Sequence, residues 1–245
     1  TVTAEDKSRL YGDSNPAFTV SYEGFVNDDD ADDLATQPVA ICTADAASGA
    51  GAYDVVPGEG VDENYAFNYV NGTLWVTEKL LTVTAEDKSR LYGDANPGFT
   101  VSYDGFVNDD DAGDLTTQPT ASSDAVPGSG VSTYDIASDG GVDENYVFSY
   151  VNGTLTVDPA PLTCTADDKS KVYGSANPDL TISYDGLKND DLAPATPPAI
   201  ACAASETNPV GTYAITLTGG GDPNYVLTLA NGRLNVLAGT VFRLW

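Results

Sequence analysis

The sequence predicts a β-rich array of three tandem modules, and three observations lead there. First, Thr1–Asp13 reads TVTAEDKSRLYGD, the same thirteen letters return at Thr82–Asp94, and a diverged copy stands at Thr163–Ser175. The tyrosines Tyr11, Tyr92 and Tyr173 of this motif are spaced by 81 residues twice over. A fixed long period marks one folding unit stacked by duplication. Second, apolar and polar residues alternate inside each unit, as in Phe18-Thr19-Val20-Ser21-Tyr22, its copy from Phe99 to Tyr103, and Leu180-Thr181-Ile182-Ser183-Tyr184. That period of two belongs to a strand with one buried face. Third, 24 glycines and 14 prolines in 245 residues suit short strands joined by tight turns.

The repeat divides the chain into modules at 1–80, 81–161 and 162–237, with 238–245 as the start of a following element or an inter-subunit strand. Each module is small for a domain yet able to fold alone, so three small cores are expected. In the first module strands are expected near residues 1–4, 18–23, 38–43 and 51–56. The acidic stretch Asp28–Leu34 has room for one short helical turn. The module closes on Tyr65–Val70, Asn71-Gly72 and Thr73–Thr77, which reads as a hairpin on a type I′ turn, since Asn-Gly supports positive φ at both turn positions. That register opposes Val70 to Thr73, Tyr69 to Leu74 and Phe67 to Val76, placing Tyr65, Phe67, Tyr69, Leu74 and Val76 on one face. The pattern recurs around Asn152-Gly153 and Asn231-Gly232. Connections between modules are short, and the second, Asp158-Pro159-Ala160-Pro161, is stiffened by proline, so the modules are expected end to end in a semi-rigid rod.

The net charge is −27 and falls unevenly: residues 1–81 and 82–162 each carry −12, residues 163–245 only −3. Such a surface repels phosphate backbones and anionic lipid heads, which argues against nucleic acid and membrane surfaces as partners and makes cations the natural counterpart. No stretch approaches 18 consecutive apolar residues, so no membrane insertion is expected of this segment. With no methionine and no export signal at Thr1, the chain reads as a mature or excised piece of a longer protein.

The motifs LTVTA, KSRLYG, NPGFTVSYDGFVN, a GxY strand and the closing NYxFxYVNGTLTV resemble the MBG family of bacterial repeats, in the type named for its Tyr-Gly motif. The carriers are Tyr11-Gly12, Tyr92-Gly93 and Tyr173-Gly174, the prolines Pro16, Pro97 and Pro178, and Asn64-Tyr65, Asn145-Tyr146 and Asn224-Tyr225. The resemblance covers nearly the whole chain. It implies β-grasp-like modules, with Ig-like β-sandwich modules as the alternative, and tandem placement in exported surface proteins and adhesins. The chain departs from the family pattern in its aspartate-loaded loop and after Val236.

The chain has no histidine, which removes Ser-His and Cys-His nucleophilic pairs and His-ligated zinc. No enzymatic activity and no catalytic residue is expected. The strongest chemical candidate is a calcium loop on Asp28, Asp29, Asp30, Asp32 and Asp33, repeated as Asp109, Asp110, Asp111 and Asp114, because hard cations prefer several oxygen ligands at once. The spacing lacks the EF-hand pattern, and a solvated acidic loop whose carboxylates cap a helical turn is the competing reading. Cys164 and Cys202 are expected to form a disulfide within the third module; Cys42 is left unpaired, and reads as a small buried apolar residue or as the site of an intermolecular bridge. Trp75 stands where the other modules have Thr156 and Asn235, and with Phe242 and Trp245 of the apolar tail it forms the candidate contact surface. The resulting expectation is a non-enzymatic stalk or fibre segment of a bacterial surface adhesin, outside the cell, partnered by neighbouring repeats or identical subunits. The alternatives are a filament subunit joined by strand addition and an adhesive module that binds a glycan or a host protein.

Overall fold

The computed structural model describes residues 1–239, and within them 21 strands, seven to a repeat. Repeat 1 holds β1 (Val2–Ala4), β2 (Lys7–Leu10), β3 (Val20–Tyr22), β4 (Val39–Cys42), β5 (Gly51–Gly58), β6 (Tyr69–Val70) and β7 (Gly72–Thr77). They form two sheets, ordered β3-β1-β6 and β2-β7-β5-β4. The strands expected near 1–4, 18–23, 38–43 and 51–56 are β1, β3, β4 and β5; β2, inside the KSRL motif, had no alternation long enough to be read as a strand. Repeat 2 repeats the set as β8 (Lys79–Ala85), β9 (Lys88–Leu91), β10 (Val101–Asp104), β11 (Thr120–Ser122), β12 (Ser132–Asp139), β13 (Tyr146–Val151) and β14 (Gly153–Asp158). Repeat 3 does so as β15 (Ala160–Ala166), β16 (Lys169–Val172), β17 (Ile182–Asp185), β18 (Ala199–Cys202), β19 (Gly211–Thr218), β20 (Tyr225–Ala230) and β21 (Gly232–Leu237).

The expected Asn71-Gly72 hairpin is not formed. β6 lies parallel to β1, with Val2 opposite Tyr69, and β7 lies parallel to β2, with Lys7 opposite Leu74. Both pairings have the same offset of 67 residues, so they are one parallel ladder that bends from the first sheet into the second. The bend falls at Glu5-Asp6 on one path and Asn71 on the other. Neither Asn71 nor Gly72 is among the residues with positive φ. Glycine is required at 72 for a different reason: a Cβ there would run into the carbonyl of Ala4, and Gly153 and Gly232 meet Ala85 and Ala166 in the same way. Asp6 Oδ1 accepts the Thr73 amide at 2.7 Å and closes the crossing, as Asp87 does for Thr154 and Asp168 for Arg233. The left-handed turn sits elsewhere, at Asn27-Asp28, Asn108-Asp109 and Asn189-Asp190.

The alternation read from the sequence sets the core. Val2 and Ala4 of β1, Val55 of β5, and Leu74 and Val76 of β7 are buried, with Cys164 and Ala166, then Ile215, Leu234 and Val236, as their counterparts in repeat 3. The one helical turn expected in the acidic stretch is present as a 3₁₀ turn, Ala31–Asp33, capped reciprocally by Asp30 and Asp33.

The described residues pack as two compact units, one of Thr1–Glu86, Phe99–Ser122 and Ala137–Gly153, the other of Asp87–Gly98, Ser123–Ile136 and the described residues from Thr154 onward. In the first, a single buried cluster runs from Ala4, Tyr11, Val55 and Leu74 of repeat 1 to Leu81, Leu115 and Tyr146 of repeat 2. The expectation of one separate core per module is thereby corrected, because packing continues across the first repeat boundary. Only Glu78 separates β7 from β8, and only Pro159 separates β14 from β15. Pro161 lies inside β15 but costs no ladder bond, since β17 joins only from Thr163 onward.

The expected Cys164–Cys202 disulfide is also corrected. Cys42, Cys164 and Cys202 are free thiols. Cys164 fills on β15 the buried slot of Val2 and Val83, and burial pushes its thiol pKa up, the signature of a small apolar residue. Cys202 lies on β18, at the outer edge of the other sheet.

Gly72→Ala is expected to destabilise the chain by about 2–3 kcal/mol in urea unfolding, because the clash is with backbone that has nowhere to move. Gly98→Ala, where a Cβ meets nothing within 4 Å, is expected to stay within about 0.5 kcal/mol of the parent.

Candidate functional site

The motifs that recur in every repeat converge on the repeat boundaries. At the end of β2 the chain turns through Tyr11-Gly12, and this turn is set by a buried cation. Arg9 donates from Nε to Asn15 Oδ1 at 2.7 Å, from Nη1 to the Leu10 carbonyl at 3.1 Å and from Nη2 to the Asp45 carbonyl. Arg90 repeats this with Asn96, Leu91 and Val126, and Lys171 reaches the carbonyls of Ser175 and Ser205. A buried charge needs such partners, and here they tie the Tyr-Gly turn to the loop before β5.

In the first compact unit the Tyr11 hydroxyl donates to Asp110 Oδ2 of repeat 2 at 3.0 Å, and Tyr146 donates to the same oxygen at 2.7 Å. The two rings meet edge to face, centroids 5.5 Å apart. Gly12 allows this approach: its φ is +82°, and a Cβ would overlap the Val107 side chain. Around this contact Asn108 Nδ2 donates to the Ala46 carbonyl at 3.0 Å, and Asn145 Oδ1 accepts the Ala50 amide at 2.9 Å. The second compact unit contains the same joint between repeats 2 and 3. Tyr92 and Tyr225 share Asp191 Oδ2 at 3.2 and 2.7 Å, with ring centroids 5.4 Å apart. Gly93 faces Lys188, Asn189 reaches the Pro127 carbonyl, and Asn224 Oδ1 accepts the Val131 amide.

The electrostatics follow from one carboxylate serving two phenols. Burial, reinforced by the negative Asp191, pushes the Tyr225 hydroxyl up to about 12. Burial and Asp110 raise Tyr146 in the same direction, and burial raises Tyr11. The joint therefore holds neutral phenols against an ionised carboxylate, an arrangement of charge-assisted hydrogen bonds.

The residues proposed for calcium are employed in this scheme and do not gather. Asp28 and Asp109 occupy left-handed corners of the turn. Asp29 accepts from Tyr65 at 2.6 Å and Asp110 belongs to the joint. Asp30, Asp33, Asp111 and Asp114 cap local amides, and Asp32 accepts from Gln37. Among the described residues no three potential metal ligands cluster. Trp75 is 52% exposed on β7, flanked by Ser8 and Ala52, beside a shallow groove formed with Asp6, Lys7 and Pro16. Phe242 and Trp245 lie outside the described residues. What sequence reasoning missed is the pairing itself: the Tyr-Gly, Asn-Asp and Asn-Tyr motifs were visible as recurrences, but nothing local says that one repeat's Tyr-Gly meets the next repeat's Asn-Asp and Asn-Tyr.

Asp110→Ala is expected to loosen the first joint by about 2–3 kcal/mol, since two phenol donors lose a charged acceptor, whereas Tyr11→Phe costs about 1 kcal/mol; chemical unfolding measures both. An ordinary tyrosine titrates near 10, so Tyr225 contributes stability that is whole below about pH 10 and drains away as pH rises through about 12. Spectrophotometric titration of phenolate should show this late phase, and Tyr225→Phe should remove it.

No curated protein matches this sequence. The family model described as the MBG domain, YGX type, matches residues 1–75, 81–156 and 162–235. With the three matched segments covering most of its length, the chain belongs to the MBG domain family of the YGX type.

Proposed function

We propose that this chain is a non-enzymatic structural segment of a bacterial surface adhesin, a stalk or fibre whose repeats carry an adhesive region away from the cell. The family suggests repeat modules of surface proteins. The observation that carries the reading is that the residues recurring in all three copies are used twice to join one repeat to the next. Tyr-Gly, Asn-Asp and Asn-Tyr are taken up by the joints, and a spacer is what such joints serve. A boundary crossed by one intervening residue, a shared carboxylate and a close glycine contact leaves little rotational freedom. In this reading the acidic surface keeps neighbouring fibres apart.

Small-angle scattering tests the proposal. The parent chain should fit one narrow family of conformers, and Gly12→Val with Gly93→Val should broaden the distribution while each repeat stays folded by circular dichroism. A freely jointed parent would overturn it.

A second reading, adhesive binding by the array itself, is favoured by Trp75 alone, an exposed aromatic in a shallow groove that the other repeats lack. Aromatics are enriched at such contacts. A glycan array should then give selective binding that Trp75→Ala reduces by tenfold or more; no selective binding leaves the spacer reading standing.

A further inference from the structure

Every repeat carries both halves of the joint, a Tyr-Gly donor turn and an Asn-Asp-Tyr acceptor, and among the described residues the two joints leave the donor of repeat 3 and the acceptor of repeat 1 open. The unused donor is Tyr173-Gly174. Tyr173 is 54% exposed, where Tyr11 and Tyr92 are 5% and 6% exposed inside their joints. A Cβ at Gly174 would meet nothing within 4 Å, although its φ of +84° matches the +82° of Gly12 and Gly93. Its amide donates to the Glu206 carbonyl at 3.3 Å, as Gly12 does to Ala46 at 3.2 Å, so the turn is already shaped.

The unused acceptor is Asn27, Asp29 and Tyr65 of repeat 1. Asn27 and Asp28 have φ of 59° and 66°, beside 58° and 65° for Asn108 and Asp109 in the closed joint. Tyr65 donates to Asp29 Oδ2 at 2.6 Å, where Tyr146 donates to Asp110 at 2.7 Å. Phe25 meets the Tyr65 ring edge to face at 5.4 Å, the distance of Phe106 from Tyr146. Val26, which would face Gly174 as Val107 faces Gly12, is exposed. Both halves hold the shape of the closed joint with no partner half among the described residues.

We infer that these halves recognise each other between two copies of the chain: Tyr173 of one copy donates to Asp29 of the next, its ring against Tyr65, with Gly174 under Val26. The occupant is argued from continuity with two joints of known geometry, and the inference rests on those joints and not on the surface-spacer reading. The contact is heterologous, so a pair of copies still presents one donor and one acceptor and association runs on into chains. Two features weaken it relative to the internal joints. Pro209 stands where Gly49 and Gly130 face the crossing asparagine, positions at which a Cβ would lie 2.9 and 3.1 Å from its Oδ1, so Asn64 must shift. A net charge of −27 also opposes association until salt screens it, although the donor lies in the least charged repeat.

Sedimentation velocity on the full chain tests this, from about 1 μM to about 1 mM in NaCl of about 0.15 M and about 0.5 M. Dimers and longer species should grow with concentration, and more so at the higher salt. Tyr173→Ala, Asp29→Ala and Asn27→Gly, which keeps the left-handed turn, should each weaken association tenfold or more with unchanged circular dichroism. An equimolar mixture of Tyr173→Ala and Asp29→Ala should restore dimers and nothing longer, because each variant keeps the half the other lost. A monomer at all concentrations overturns the inference. So does association that persists in Tyr173→Ala but is lost in Phe242→Asp, which would assign the contact to the tail.

Discussion

The constraint from which the module follows is the parallel ladder that bends between its two sheets. β1 with β6 and β2 with β7 share one offset, and at the bend two backbones touch where Gly72 meets Ala4. Because the ladder leaves one sheet and enters the other, it has two distinct ends. β6 starts at one, shortly after Asn64-Tyr65; β2 finishes at the other, on Tyr11-Gly12. The acceptor and donor halves of the joint are thus set apart within a single module by the same crossing. A true hairpin at Asn71-Gly72 would have folded β7 back beside β6 and removed the partner along which β2 runs to its Tyr-Gly turn.

Energetically the joint is closed by hydrogen bonds more than by ion pairs. Lys79 to Asp13 at 3.4 Å and Lys188 to Asp94 at 3.0 Å accompany the two joints, but both are solvated and such pairs contribute about 0–1 kcal/mol. Their aspartates are equivalent, but the lysines that reach them are not. What both joints share is the carboxylate with two phenol donors, the glycine that admits the next repeat and the two asparagines reaching back. A neutral donor on an anionic acceptor is also less sensitive to salt than an exposed ion pair, which suits a chain this acidic.

Much of the strand pattern was legible because period-two alternation reports a buried face directly: β1, β3, β4 and β5 fall where Val2 and Ala4, Val20 and Tyr22, Ala40 and Cys42, and Tyr53 and Val55 place them. The three-module organisation was legible in the thirteen-letter repeat. The closing hairpin was misread because Asn-Gly carries two meanings that a sequence does not separate, positive φ and missing bulk; here only the second applies, and Asn-Asp takes the left-handed turn instead. β2 was invisible because its inward residue is a cation, Arg9, whose burial rests on carbonyls from a distant loop. The thiols were misread because a cysteine at a core position looks the same on paper whether it pairs or packs.

The acidic loop shows one side chain put to several uses according to its position. Five aspartates within six positions, 28 to 33, resemble a cation site by charge alone, yet two of them cap a helical turn, one takes a left-handed corner, and Asp29 accepts a phenol. Each role uses a different property of the same side chain: short reach for the caps, tolerance of positive φ for the corner, full charge for the phenol. Repeat 3 separates these roles. It keeps Asn189, Asp190 and Asp191, the corner and the phenol acceptor, but has no aspartate from Leu192 to Pro197, and its joint with repeat 2 still closes on Asp191. The aspartates that can be dropped are the caps, and the one kept at the joint in both closed copies is the one that two tyrosines share.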